Sequence, residues 1–567
     1  MIRWKYFAVI AAVLMCGGMI RAGEPVSQKV YPGADGKLVY AADEQGNTIP
    51  DFSQCGYQGG GIALPDVPVK LTLEPASGAD DDTARIQAAL DEISGLPPDT
   101  TGFRGALLLK KGVYPVAGTL KVSSSGVVLR GEGNRKDGTV LFATGKNKRA
   151  LIQLGVTKGV ENAKTRVKIT DSYVPVGTRT LSLKSADGFK AGDFVVVLRI
   201  ANEAWIHEIG MDDIPKRPGD PGNTKNWEAK QYQVGYNRVI TAIEENKITL
   251  DVPIVCAIDE KWGGGEVYKY ADSRTDKVGV ENLRVVSEFD PSVVTGGHYS
   301  DEKKCETAIQ FDGAKNGWVR DVIGVHLDRL VLIERPAQWI TVQDCAYLDP
   351  VSLVDGGRRY AFKMVGQQSL IQRCYTEGAR HACVFDSRVP GPDVFLDCLT
   401  VQNYNSSEPH HRWSTGGLYD NFSGNLAIIN RAWLGSGHGW TAGNFVAWNT
   451  EGKLSVQSPP AATNYAIGHI GEKAAGLLKE MPDGWWESQG THVAPRSLYL
   501  AQLKDRLGAG AVLAVTTESQ RRGSIYTELA DKYATHHEKV WGAGGPAEVP
   551  LGSEPQNSAR PPAAPTE

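Results

Sequence analysis

Two features are scarce in this 567-residue sequence, and each absence narrows what the chain does. An excess of one charge is the first. The 61 Lys and Arg stand against 65 Asp and Glu, and no long single-sign run occurs, so no nucleic-acid partner is expected. The second is any apolar run long enough to cross a bilayer, which takes about 20 residues. Phe7 to Met15 is too short, and no other run spans a membrane. With Arg3 and Lys5 before it and Ala22-Gly23 after it, this stretch reads as a signal peptide over residues 1–23. A secreted or periplasmic, monomeric protein is therefore expected. A lipid anchor on Cys16 would need a small residue before it, and Met15 stands there.

Cysteine is sparse as well. Beyond Cys16 there are seven: Cys55, Cys256, Cys305, Cys345, Cys374, Cys383 and Cys398. Their spacing matches no zinc motif, and the odd number excludes a complete disulfide framework. Most read as small buried residues, with room for one disulfide.

What the sequence does have is glycine, 64 residues of it, and many short alternating apolar runs. That balance favours numerous strands and turns over long helices. Residues 24–65 form an irregular lead-in. Gly78–Leu90 is an Asp/Thr cap followed by Ile86, Ala89, Leu90 and Ile93 at helical spacing. Strands follow at Ala106 to Leu109 and Gly126 to Arg130, and residues 66–163 are assigned to a cap helix with the first coils. Over residues 164–270 the pattern changes to a small antiparallel β-barrel or sheet, with runs at Thr180–Leu183, Phe194–Arg199, Arg238–Ile243 and Lys247–Leu250. A loop there carries Trp205, His207, Trp227 and Tyr232, either a local aromatic core or a wall for stacking sugars.

Residues 271–492 repeat. Aligning GWVRDVIG, QWITVQDCAY, SLIQRCYT and DVFLDCLT places Val322, Cys345, Cys374 and Cys398 at one position, the last two steps being 29 and 24 residues. Coils of that period stack at about 4.8 Å, so equivalent residues form ladders along an axis. The cysteine ladder is expected to face the core. Helices are expected over 493–508 and about 524–540, within a C-terminal helical segment 493–542, and a disordered tail over 543–567.

The order of capped helix, LLLKKGVYPV and GVVLRGEG resembles the opening of pectate-lyase-superfamily proteins. DGGRRYAFKMVGQQSLIQRCY, DSRVPGPDVFLDC, PHHRWSTGGLYDN and GHGWTAGNFVAWN resemble blocks of one bacterial subgroup of that superfamily, whose reaction is unassigned. The resemblance implies an all-β right-handed parallel β-helix with a small inserted β domain and C-terminal helices.

Counting forward from each ladder cysteine brings Arg358, Arg359 and Tyr360, then Arg388, then His410, His411 and Arg412 to one place on three successive coils. Arg380 and His381 lie at an earlier turn. Stacked cations repel by roughly 3 kcal/mol per pair at 5 Å and an effective dielectric near 20. They need an anion, either internal carboxylates (Asp355, Glu377, Asp386) or an acidic glycan along the face. β-Elimination from a uronic acid needs a base, a cation for the carboxylate and a proton donor. His381, His410 or His411 fits the base, and Arg359, Arg388 or Arg412 the cation. Tyr360 or Tyr419 fits the donor. Arg358, Arg359, Arg380, Trp413, Tyr419 and His438 are candidates for binding an acidic polysaccharide. No metal is required, with Ca2+ as the alternative scheme. A polygalacturonase-like hydrolase, suggested by Gly437-His438-Gly439, and a non-catalytic glycan-binding β-helix are the competing readings.

Overall fold

A computed structural model describes residues 25–156 and 160–537. The expected signal peptide and tail lie outside the described residues. No helix among those described is long and apolar enough to cross a membrane.

Short strands stack in parallel register into two ladders. The longer sheet runs through Gly105–Leu109, Val127–Gly131, Gly279–Ser287, Trp318–Val325, Thr341–Gln343, Leu370–Gln372, Asp393–Leu396, Gly417–Asp420, Val446–Trp448 and Tyr465–Ile467. The second passes from Leu120–Val122 through Ala150–Leu154, Thr307–Phe311, Arg329–Ile333, Phe362–Met364 and Cys383–Phe385 to Glu408–Pro409. Parallel neighbours joined by crossovers wind right-handed, so the chain is a right-handed parallel β-helix.

Alternation along each strand sends every second side chain inward. Ile323 pairs with Ala346, Ala346 with Tyr375 and Tyr375 with Leu399, which stacks the preceding residues Val322, Cys345, Cys374 and Cys398 inside the coil. All seven cysteines described are buried and free, so the disulfide left open by the sequence does not form among them. Burial pushes the Cys345, Cys374 and Cys398 thiols well above their usual range. At one end of the core the helix Thr83–Gly95 turns Ile86, Ala89, Leu90 and Ile93 into it.

Ile152 pairs directly with Ile309, so the solenoid continues across an excursion of the chain. That excursion is antiparallel: Phe194–Arg199 pairs with Val234–Glu244 and Gly265–Ala271, and Lys247–Leu250 with Thr180–Ser182. Trp205, Trp227 and Tyr232 are its core, together with Trp413 and Trp440 contributed by the solenoid. These rings are inaccessible to a stacking sugar, whereas His207 stays exposed beside Asp212.

The outward rungs Leu370, Val394, Leu396, Leu418, Val446 and Trp448 are apolar and need cover. The lead-in (Val30, Ile49, Phe52) and the helix Leu498–Leu507 supply it. Ser497 caps that helix by accepting from Leu500 N, so it starts later than the expected 493. Its last residue, Leu507, is exposed. The helix expected near 524–540 spans Tyr526–Tyr533 and covers Ile323, Ala346 and Tyr375.

Candidate functional site

The outer face of the second sheet carries the site. Strand alternation turns Lys363 and Glu408 outward at equivalent rungs, since Lys363 pairs with Val384 and Val384 with Glu408. Two residues on, His410 follows Glu408 on the same face. Tyr360 and His381 occupy equivalent positions just before their strands, and their rings meet at 5.3 Å.

Four histidines converge there. His381 and His410 lie 5.0 Å apart between ring centroids, and His410 is 5.2 Å from His411 and 5.1 Å from His438. The His411 and His438 rings stack at 4.8 Å. His410 Nδ1 lies 2.6 Å from Glu408 Oε1 and 2.7 Å from Arg431 Nη1. A proton on Nδ1 directed to Glu408 leaves Nε2 as the acceptor, 3.0 Å from the Tyr360 hydroxyl, which also donates to the Gly356 carbonyl at 3.1 Å. Arg380 Nη1 donates to the same hydroxyl at 3.3 Å. Arg431 Nη1 lies 2.7 Å from Glu408 Oε1 and donates to the His410 carbonyl. Tyr360, His381, Glu408, His410 and Arg431 are 0–7% exposed. At the edge, Lys363 and His411 both pair with Asp386, at 2.6 and 2.8 Å, and all three side chains are about one fifth exposed.

Burial dominates the electrostatics. It holds His381 and His410 well below the ordinary imidazole range, and Arg431 pushes His410 the same way. His411 is lowered by burial against the opposing pull of Asp386, and His438 is lowered by burial and then by Arg431. The Tyr360 hydroxyl is pushed up to about 12 by burial. Burial opposes ionisation of Asp386, but the His411 and Lys363 contacts outweigh it and keep the carboxylate far below its usual range. The centre is thus a neutral imidazole beside a protonated phenol, flanked by two guanidinium groups. His381 Nε2 is buried without a hydrogen-bond partner, while its Nδ1 meets the Ser406 carbonyl at 2.6 Å.

His381, Glu408 and His410 also place three ligand atoms within 4.8 Å. Arg431 already supplies the cation on Glu408, so a metal at that carboxylate would have to displace a guanidinium. Two nitrogens and a single carboxylate also suit Ca2+ poorly, since it takes six to eight oxygen ligands.

The expected strip of stacked arginines does not form. Thirteen residues, 349–361, join Ala346–Leu348 to Phe362–Met364, whereas five, 378–382, join Tyr375–Glu377 to Cys383–Phe385. Equal counting from the cysteines therefore misplaces the first coil. Arg359 stacks on Arg380 and Tyr360 on His381, ahead of the strand, while Arg388 and Arg412 follow it. Arg359 is buried and donates to the Ser352 and Tyr299 carbonyls. Arg358 pairs with Glu302 at 2.8 Å. Arg388 donates to the Gln231 carbonyl of the inserted domain, and Arg412 to Ser436 Oγ in the loop that carries His438. Trp413 and Tyr419 are buried and meet no surface. Trp413 packs edge-on against Trp205 at 4.9 Å, and the Tyr419 hydroxyl donates to the Cys383 carbonyl. His381, His410, His411, His438, Tyr360 and Arg380 are the predicted residues that do come together.

Glu408, Arg431 and Lys363 escaped the sequence reading. Glu408 stands two residues before His410, the spacing that shares a strand face, and Arg431 follows His410 by 21 residues, close to one coil. Charge stacking drew attention to arginines by offset, and the alternation within SSEPHHRW was the better signal.

The inserted domain holds the loop that carries His438. Trp227 Nε1 donates to the Gly437 carbonyl at 3.1 Å, and Lys225 N donates to the Ser436 carbonyl. Gly437 has φ +91°, and a Cβ there would meet the Lys225 carbonyl oxygen at 2.3 Å. Gly437→Ala is expected to cost about 1–3 kcal/mol. Urea unfolding measures it, and a midpoint equal to the wild type would contradict this account of the clamp.

No family model and no curated protein matches the chain. Among solved structures it is similar to the Gp54 tailspike of Acinetobacter baumannii bacteriophage AP22 in complex with A. baumannii capsular saccharide, at 10% identity and TM-score 0.38, covering 70% of this chain and 57% of that one. It is similar to the alginate lyase from Paenibacillus sp. str. FPU-7, at 8% identity and TM-score 0.34, covering 75% and 99%. The tailspike protein of E. coli bacteriophage HK620 in complex with pentasaccharide gives 8% identity and TM-score 0.35, covering 78% and 61%. The chain spans less than two thirds of the length of either tailspike. Its own strand ladders, rather than these distant likenesses, make it a right-handed parallel β-helix with an inserted antiparallel β domain and C-terminal helices.

Proposed function

We propose that the chain is a polysaccharide-active enzyme that cleaves a uronic-acid-containing glycan by β-elimination at the Tyr360–His410–Glu408 cluster. The observation that carries this reading is the 3.0 Å contact between the Tyr360 hydroxyl and His410 Nε2, with Glu408 on the other ring nitrogen. A neutral imidazole and a protonated phenol side by side can work on one face of a sugar ring. His410 Nε2 takes the proton α to the carboxylate. The C–H electron pair becomes the new C=C bond, the C–O bond to the leaving sugar breaks, and the Tyr360 proton goes to the departing oxygen. Arg380 and Arg431 offset the charge that develops on the substrate carboxylate. Glu408 orients His410 and stabilises its imidazolium. Lys363, Asp386 and His411 form the partly exposed edge from which a chain would approach. Proton return from His410 to Tyr360 closes the cycle, so no cofactor enters the balance.

Incubation with a panel of uronic-acid glycans tests this. The expected product carries a conjugated unsaturated uronate, read by ultraviolet absorbance. New reducing ends without that absorbance would replace elimination with hydrolysis. Binding without cleavage, indifferent to His410→Ala, would reduce the chain to a glycan-binding β-helix.

A further inference from the structure

We infer that a second site, on the outer face of the longer sheet, binds a single uncharged sugar residue. It is a cavity of about 290 Å3 between the Gly56–Leu64 segment, the sheet and the end of the helix Ala509–Val515. That is the small end of the roughly 300–1,000 Å3 range of ligand clefts, a size for one ring rather than an oligosaccharide. The histidine cluster lies on the other sheet, so this inference does not rest on the elimination reading.

The floor is an outward polar ladder. Register stacks Arg130, Glu281, Arg320, Gln343 and Gln372 on successive strands. Arg130 and Arg320 both pair with Glu281, at 2.5 and 2.7 Å, and Arg373 grips Asp344 through two hydrogen bonds of 2.8 and 2.9 Å. Every charge at the cavity is thereby matched by its neighbour. An anion would meet Asp344, and a cation would meet Arg320 and Arg373, so the cleft favours an uncharged ligand. Gln372 Nε2 donates to Gln343 Oε1 at 3.2 Å and to the Val515 carbonyl, which leaves the Gln343 NH2 without a protein partner. Leu370 adds apolar surface to the sheet side, and Ile62 and Leu64 line the segment that covers it, beside Tyr57. The Gln343 amide donor on one side and apolar surface on the other match the hydroxyl edge and C–H face of a pyranose.

The test is ligand-observed NMR on the full chain with neutral methyl hexosides, and with galacturonate as the charged counterpart. Saturation transfer to a neutral hexoside is expected in the wild type and in His410→Ala. Gln343→Leu is expected to weaken binding about tenfold, the equivalent of one hydrogen bond. Ala514→Trp, an exposed substitution at the mouth, is expected to abolish it, and this variant carries the test if Gln343→Leu does not fold. The inference is overturned if no neutral hexoside binds. It is equally overturned if binding survives Ala514→Trp, or if galacturonate binds as tightly as its neutral analogue.

Discussion

Tyr360→Phe and His410→Ala are each expected to lower turnover on a cleaved uronic-acid glycan by about 10²–10⁴-fold, the usual weight of a positioned acid or base. Tyr360→Phe removes only the hydroxyl that His410 and Arg380 share, so the ring packing against His381 stays and the fold should persist. Its effect belongs in kcat, because the hydroxyl acts on the leaving oxygen as the bond breaks. His411→Ala, at the exposed edge, should act mainly on KM. Because His410 and Tyr360 work as a unit, the double variant should be little worse than either single one. Single-turnover kinetics by ultraviolet absorbance, with circular dichroism as the folding control, decides the matter. Either variant within about twofold of wild type, and properly folded, would remove the assigned roles.

Acid should unfold this protein more steeply than an ordinary surface would allow. Burial keeps His381 and His410 neutral in the folded state, well below their usual range. The unfolded chain takes up both protons as the pH falls through about 6.5. The folded state does not, so it binds fewer protons and stability drops with falling pH. Above that value both states are neutral and the linkage vanishes. Each group contributes about 1.4 kcal/mol per pH unit below the window's upper edge, and the pair about 3 kcal/mol. Burial lowers His411 and His438 as well, so both add to the slope in the same direction. Urea midpoints at about pH 7.5 and pH 5.5 measure the slope. Replacing both His381 and His410 with glutamine, which does not titrate, should remove their share of it and leave that of His411 and His438. Equal midpoints at the two pH values would show that the buried imidazoles protonate freely and that the cluster is open to solvent.

The coils were legible in the sequence because a solenoid writes its own period. Val322, Cys345, Cys374 and Cys398 recur at similar spacing, each beside an outward polar residue, and inward alternation does the rest. The helix over Ile86–Ile93 and the antiparallel runs of residues 164–270 were visible for the same reason: local periodicity follows from the backbone. The clustering of His381, His410, His411 and His438 was half visible. Spacing brought Tyr360, His410 and His411 to one place, whereas the nearness of His381, which counting set at an earlier turn, came from a turn of unequal length.

What the sequence by itself determined is the repeating coil and the residue types available on its faces, because both depend on neighbours along one chain. Which cations meet which anions was decided only by the tertiary structure. The thirteen residues of 349–361 shift Arg359 away from Arg388, the inserted domain draws Arg388 to itself and closes over Trp413, and Arg412 turns to Ser436 in the His438 loop. Loop length and domain docking set those distances, and neither leaves a periodic trace. The partnership of Glu408 with His410 and Arg431 is therefore a property of the packed coils.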